Sequence, residues 1–215
     1  MQWKKKAVIF DLDGVICSTD KFHYQAWKAL ADRMGIPFDE GINNRLRGVS
    51  RMASLEIVLE RSARTYTPAE KEALAAEKND TYRRLLHNMD SSALTGEVRN
   101  TLVQLRSRGY RLAIGSSSKN TKFILQQIGL GSFFDAIADG TDITHAKPDP
   151  EVFLASAKKL GIAPADCAVV EDARAGIQAA RAGGMTALAL GGDAAGCGLE
   201  DYNLTSFADL LNILP

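Results

Sequence analysis

Polar and apolar positions along this chain follow two periods, and the change from one to the other divides it. Near the start, Ala7 to Phe10 run without a polar break, as a strand buried on both faces of a parallel sheet would. From Asp20 to Arg33 the apolar positions Trp27, Leu30, Ala31 and Met34 recur at helical spacing, and Gly35 follows as a stop. Ser50 caps a second helix running through Glu60, with Leu55, Val58 and Leu59 on its inner face. Thr67-Pro68-Ala69-Glu70 combines a capping residue, proline at the first helical position and glutamate three after the cap, which opens a long helix toward Leu86. The stretch from 18 to 90 thus reads as wholly helical. Its insertion directly after the first strand predicts a lid over that strand's carboxyl end.

After Gly96 helices alternate with short β-rich runs, the pattern of βαβ units and a parallel sheet. A helix from Glu97 stops at Gly109, and Tyr110 to Ile114 is a strand. Lys122 to Ile128 is helical, and Asp135 to Ala138 is a short strand. Asp149 caps and Pro150 opens a helix that ends at Gly161, Cys167 to Val170 is a strand, and Ala173 to Ala182 is a helix. A last strand lies near Thr186 to Leu190, and Gly191 to Leu199 reads as a mobile glycine-rich loop. The expected fold is α/β: a doubly wound parallel-sheet core, residues 1–17 and 91–215, with an inserted helical cap domain, residues 18–90.

Composition narrows the function. At 215 residues the chain suits one or two domains and can bury a substantial core. Twenty-six basic residues balance 26 acidic ones, so there is no electrostatic footprint for nucleic acid or an anionic membrane, and a small ligand is expected. Cys17, Cys167 and Cys197 are odd in number and lack metal-like spacing, which fits a reducing cytosol. The basic start is followed by only a short apolar run, so no export signal is expected, and no run of about eighteen apolar residues predicts a membrane span.

Three strands end in chemistry. Asp11 and Asp13 lean to one side at the end of the first, Ser116 to Asn120 follow the second, and Glu171-Asp172 end the fourth. In a parallel sheet those carboxyl ends share one edge, and Lys147 adds a cation from a loop. Asp-x-Asp-Gly by itself also suits a strand end with a solvated turn. The whole inventory suits phosphoryl transfer: acids for a hard cation such as Mg²⁺, a lysine to offset phosphoryl charge, and a serine with N–H groups at a helix start to hold phosphate oxygens. An ionised carboxylate can itself attack phosphorus. Arg51 at a helix start is disfavoured by the dipole, which an anionic ligand would offset. Cys17 has no cation near it in sequence and reads as a small hydrophobe, and Trp27 reads as core with at most an indole N–H for a ligand.

These motifs resemble those of the haloacid dehalogenase superfamily: Asp11-Leu12-Asp13-Gly14, Ser116, Lys147-Pro148 and Glu171-Asp172, in that order, over nearly the whole chain. Within it the chain is similar to the β-phosphoglucomutase group at residues 13–16, Thr19, His23-x-x-x-Trp27, Gly48-Val49-Ser50-Arg51, Lys78-Asn79-Asp80 and Ser116-x-Ser118-Lys119-Asn120. The resemblance implies interconversion of β-glucose 1-phosphate and glucose 6-phosphate through an aspartyl phosphate and a bisphosphate. Asp11 would be the nucleophile and Asp13 the general acid and base. Mg²⁺ would sit on Asp11, the Asp13 backbone carbonyl and Asp172, with Glu171 bound directly or through water. Ser116 and Lys147 would hold the transferring phosphoryl group. Arg51, Ser118 and Asn120 would hold the other phosphate, and Ser117 and Lys119 belong to the same substrate loop. Trp27, Gly48, Val49, Ser50, Ser54 and Lys78 would serve the sugar from the lid, and Thr19 and His23 would hold Asp13 from the hinge. The resemblance also implies a cis Lys147–Pro148 bond and a small sugar phosphate as substrate; composition and charge predict no nucleic-acid or membrane partner and a cytoplasmic setting, and a monomer is expected. Arg47 and Thr95 depart from the group's lysine and proline. Two rivals share the residues: a sugar-phosphate phosphatase, in which water takes the phosphoryl group, and a phospho-accepting receiver domain, against which the helical insertion speaks.

Overall fold

A computed structural model describes residues 5–46 and 49–214. Six parallel strands form one sheet: β1 (Ala7–Phe10), β2 (Arg111–Gly115), β3 (Ala136–Ala138), β4 (Cys167–Glu171), β5 (Thr186–Leu190) and β6 (Tyr202–Leu204). Their order, β3-β2-β1-β4-β5-β6, reverses direction between β1 and β4, which is where a doubly wound sheet opens a crevice for its ligand. Phe10 stands level with Ile114 of β2 and Val170 of β4. One step further, Asp11, Gly115 and Glu171 therefore leave the sheet side by side. The Asp11 N–H still donates to the Val170 carbonyl, at 3.0 Å, so the ladder runs into the crevice.

The apolar run of β1 is buried throughout because both faces are covered. On one face Ala7 and Ile9 join Ala113, Val169 and Ala187 in a cluster with Phe153 and Ile177. On the other, Phe10 stacks on Phe207, ring centroids 5.6 Å apart, and meets Phe134 at 6.2 Å.

The chain divides into two compact units, residues 1–18 with 90–215, and residues 19–89. The second is all helix: α1 (Asp20–Arg33), α2 (Glu40–Asn44), α3 (Arg51–Leu59) and α4 (Pro68–Leu86), around a core that includes Trp27, Leu30, Leu55, Val58 and Ala75. Its helix starts are set by capping side chains. Asp39 accepts from the Ile42 N–H, Ser50 from that of Ala53, and Thr67 and Glu70 complete the reciprocal pair expected for α4. Such caps each contribute about 0.5–2 kcal/mol.

The sheet unit adds α5 (Gly96–Ser107), α6 (Thr121–Gln127), α7 (Glu151–Leu160), α8 (Arg174–Ala182) and α9 (Leu210–Ile213). The start of α7 departs from expectation. Pro150 is the capping position and Glu151 opens the helix, while Asp149 accepts the Glu151 N–H from just outside it. Helices α2 and α9 and strand β6 were not anticipated, being only three to five residues long. Gly191 to Leu199 is anchored rather than loose: the Ala194 N–H donates to the Asp172 carbonyl, Ala194 is fully buried, and Asp193 accepts from the Arg174 N–H. Among the described residues no helix is long and apolar enough to cross a membrane.

Candidate active site

The crevice between β1 and β4 gathers four acids around one ammonium group. Lys147 Nζ donates to Asp11 Oδ1 and to Glu171 Oε1, each at 2.5 Å, and lies 4.6 Å from the Phe153 ring centroid. Its side chain and those of its two partners are almost wholly buried. Burial alone would lower the lysine pKa, but the charges of Asp11 and Glu171 outweigh it and hold the amine above its ordinary range. The expected cis bond between Lys147 and Pro148 is present. Glu171 uses its second oxygen to accept the Ala173 N–H at 2.9 Å, and burial still pushes its pKa up.

Asp172 has no such cation of its own. Burial, then the charges of Glu171, Asp11 and Asp13, raise its pKa to about 8. Crowded carboxyl groups of this kind favour binding a proton or a further cation. No three of Asp11, Asp13, Glu171 and Asp172 bring ligand atoms within 4.8 Å of one another. Lys147 stands between two of them, Asp11 and Glu171. Hard oxygen donors with an elevated carboxylate pKa are the donor set that a divalent cation such as Mg²⁺ suits.

Glycine is what lets these groups approach. Gly14 has φ +84°, and a Cβ there would lie 2.0 Å from Asp172 Oδ2. Gly192, φ +57°, would put a Cβ 2.0 Å from the Asp172 carbonyl oxygen. Gly176 is different, since it sits within α8 in ordinary helical backbone, where alanine is favoured by about 0.5–1 kcal/mol. Its Cβ would meet Glu171 Oε1 at 1.9 Å. A glycine inside a helical pattern is a signal the sequence reading could have followed and did not.

The loop after β2 is a chain of local bonds. Ser116 Oγ accepts the Ser118 N–H and Ser118 Oγ accepts the Asn120 N–H, both at 3.2 Å, while the Thr121 hydroxyl donates to the Ser118 carbonyl. Ser116 and Asn120 are buried, Ser118 partly, and Ser117 and Lys119 are exposed. Gly140 backs this loop, for a Cβ on it would stand 2.3 Å from the Ser117 carbonyl oxygen. Cys17 is buried, and burial with the charges of Asp13 and Asp11 pushes its thiol pKa far up, so it is no nucleophile.

Within the helical unit a second group of expected residues draws together. Lys78 Nζ is 2.8 Å from His23 Nδ1, and sits over the rings of Trp27 and Tyr82 at 4.7 and 4.8 Å. His23 stacks on Tyr82 with centroids 4.1 Å apart. Burial, then Lys78 and Arg51, hold the His23 pKa well below its usual value, so the ring is neutral, accepts from Lys78 at Nδ1 and carries its hydrogen on Nε2. Tyr82, which shapes this arrangement, was missed from sequence. Arg51 is half-buried at the first position of α3, and burial lowers its pKa. Thr19 is buried at the start of α1, and Ser54 is buried near the Val49 carbonyl. Val49 is exposed. Ser50, expected at the substrate, has its hydroxyl engaged in capping α3. Gly48 and Arg47 lie outside the described residues.

A family model described as haloacid dehalogenase-like hydrolase matches residues 5–184. The chain belongs to that family. As a haloacid dehalogenase-like enzyme it is 44% identical over 188 residues to a β-phosphoglucomutase of Bacillus subtilis, covering 86% of this chain and 83% of the relative. It is 33% identical over 182 residues to a fructose-1-phosphate phosphatase of Escherichia coli, covering 84% and 94%. Among solved structures, a β-phosphoglucomutase of Clostridium difficile superposes with a TM-score of 0.86 at 35% identity, over 96% of this chain and 93% of that one. The family relatives thus include both phosphomutases and phosphatases.

Two outcomes follow for the site. Gly176→Ala forces the Glu171 carboxylate aside, and displacement on the order of 1 Å costs up to roughly 10²-fold in rate; turnover of an aryl phosphate should fall at least about tenfold, and an unchanged rate would contradict the steric role. The raised Asp172 pKa makes the folded chain hold a proton that the unfolded chain releases near the ordinary carboxylate value. Stability in chelator therefore falls as pH rises from about 4 toward 8, by at most about 1.4 kcal/mol per pH unit, and levels off above. Thermal unfolding with EDTA should show this slope flattened in Asp172→Asn. Equal slopes in both proteins would contradict the assignment.

Proposed function

We propose that the chain is a β-phosphoglucomutase. The observation that carries this reading is the state of Arg51: a half-buried guanidinium at a helix start, where the helix dipole disfavours a cation and a ligand anion would offset it. A mutase has use for such a group, because its substrate always carries one phosphate that is not reacting. The similarity at 44% identity to a β-phosphoglucomutase supports the same choice.

In this reading an Asp11 carboxylate oxygen attacks phosphorus of the sugar bisphosphate. The P–O bond to the sugar breaks, and Asp13 gives its proton to the departing sugar oxygen. In the reverse transfer Asp13 takes the proton from the opposite hydroxyl as that oxygen attacks the aspartyl phosphate and the Asp11–P bond breaks. Lys147, held at Asp11, offsets charge on the transferring group, and Ser116 supplies a hydrogen bond to it. Asp11, the Asp13 carbonyl and Asp172 would hold Mg²⁺, and Glu171, with both oxygens already engaged, serves chiefly to anchor Lys147. The metal, when bound, offsets phosphoryl charge and carboxylate repulsion. Lys78, bonded to neutral His23, and Trp27 serve the sugar from the helical unit, Thr19 and His23 hold Asp13, and Arg51 grips the phosphate that is not reacting.

With β-glucose 1-phosphate, Mg²⁺ and trace β-glucose 1,6-bisphosphate, phosphorus NMR should show glucose 6-phosphate accumulating with little free phosphate. Mainly inorganic phosphate and no isomer would replace the mutase with a phosphatase. Arg51→Ala should lower kcat/KM for the sugar phosphate by roughly 10–100-fold, the range for a lost charge-assisted hydrogen bond, while aryl phosphate hydrolysis changes by less than about threefold. Equal losses on both substrates would remove Arg51 from this role.

A further inference from the structure

Lys147 comes to the buried acids from the loop that joins β3 to α7, not from a strand or a helix, so something must hold that loop. The holding group is Glu151, the first residue of α7. Its carboxylate accepts the Thr144 N–H at 3.0 Å, the Thr144 hydroxyl at 3.0 Å and the His145 N–H at 2.7 Å. His145 Nδ1 lies 3.2 Å from Glu151 Oε2. On the other side of Lys147, the Asp149 N–H donates to the Ala146 carbonyl and Asp149 Oδ1 accepts the Glu151 N–H. The segment from Thr144 to Glu151 is thereby closed on itself, with Lys147 between its two fastened ends. These N–H donors draw the Glu151 pKa down to about 2, so the clamp keeps its charge over the working pH range.

His145, Asp149 and Glu151 bring ligand atoms within 4.8 Å of one another, as cation ligands would. Both Glu151 oxygens are nevertheless filled by donors of the loop itself, and the trio is accounted for as a fastened turn.

We infer that Glu151 is a positioning residue for Lys147: its carboxylate fixes the loop so that the ammonium group stands between Asp11 and Glu171. The inference rests on phosphoryl transfer at Asp11 with Lys147 acting on the transferring group, whether the final acceptor is sugar or water. The Glu151 carboxylate bonds to Thr144 and His145 of the same loop, so its effect on the buried acids passes through Lys147. A residue acting only through another has no effect once that other is gone.

The test is a double-mutant cycle on the full chain, read by kcat and KM for an aryl phosphate. Glu151→Gln keeps the shape but presents an amide N–H₂ to N–H donors. It should lower kcat about tenfold or more with KM changed less than about threefold, since a misplaced group costs on this order. In the Lys147→Ala background the same change should cost less than about twofold. Hydrogen exchange of the peptide covering residues 140–150 should quicken in Glu151→Gln while the unfolding midpoint of the whole protein stays near that of the parent. Thr144→Val, which removes one bond and leaves the charge, should give a smaller loss of kcat in the same direction, again only while Lys147 is present. Full, multiplicative losses in both backgrounds, or unchanged exchange in residues 140–150, would overturn the role of Glu151. A Lys147→Ala enzyme as fast as the parent would instead overturn the reading of Lys147, and the inference with it.

Discussion

A buried ammonium group fastened between two carboxylates is the constraint around which the sheet edge is built. Lys147 donates to both Asp11 and Glu171 inside a site where isolated charges would be costly to desolvate. Beside them burial first, and then the charges of Glu171, Asp11 and Asp13, raise the pKa of Asp172 to about 8.

Holding those charges so close needs backbone with nothing attached. Gly14 and Gly192 press on Asp172 from two sides with positive φ, and Gly176 gives up helix propensity so that Glu171 can lie against α8. The sheet supplies the coarse alignment, because β1 and β4 deliver Asp11 and Glu171 level with one another across the point where strand order reverses. The loops supply the rest through short polar bonds: the Ser116–Ser118–Asn120 relay, and the clamp of Glu151 on Thr144 and His145. The helical unit uses a different device. There a lysine is buried among the rings of Trp27 and Tyr82 and donates to a neutral histidine.

Much of this was legible in the chain. The unbroken apolar run of β1, the strand-ending acids and the capping signals at Ser50 and Thr67 are local patterns, and the structure carries them at the same residues. What was not legible depends on partners distant in sequence. Strand β6 has two exposed residues of three and exists because β5 offers it an edge. The loop from Gly191 looked mobile because it is rich in glycine, yet Gly192 fits closely against the Asp172 carbonyl and the Ala194 N–H donates to it. Asp149 was read as the cap before Pro150, and it does accept the Glu151 N–H as a cap would, but the helix itself opens one residue later, at Glu151. Glu151 gave no sign at all, for a glutamate at a helix start is ordinary until the loop it fastens is seen.

The proposed phosphoryl transfer depends first on an Asp11 oxygen forming the new bond to phosphorus. Incubation with acetyl phosphate and Mg²⁺, acid quench and intact-protein mass spectrometry measure this directly. The parent protein should gain the mass of one phosphoryl group, mapped by peptide analysis to Asp11 and absent in Asp11→Asn. An adduct that persists in Asp11→Asn, or one mapped to another residue, would contradict it.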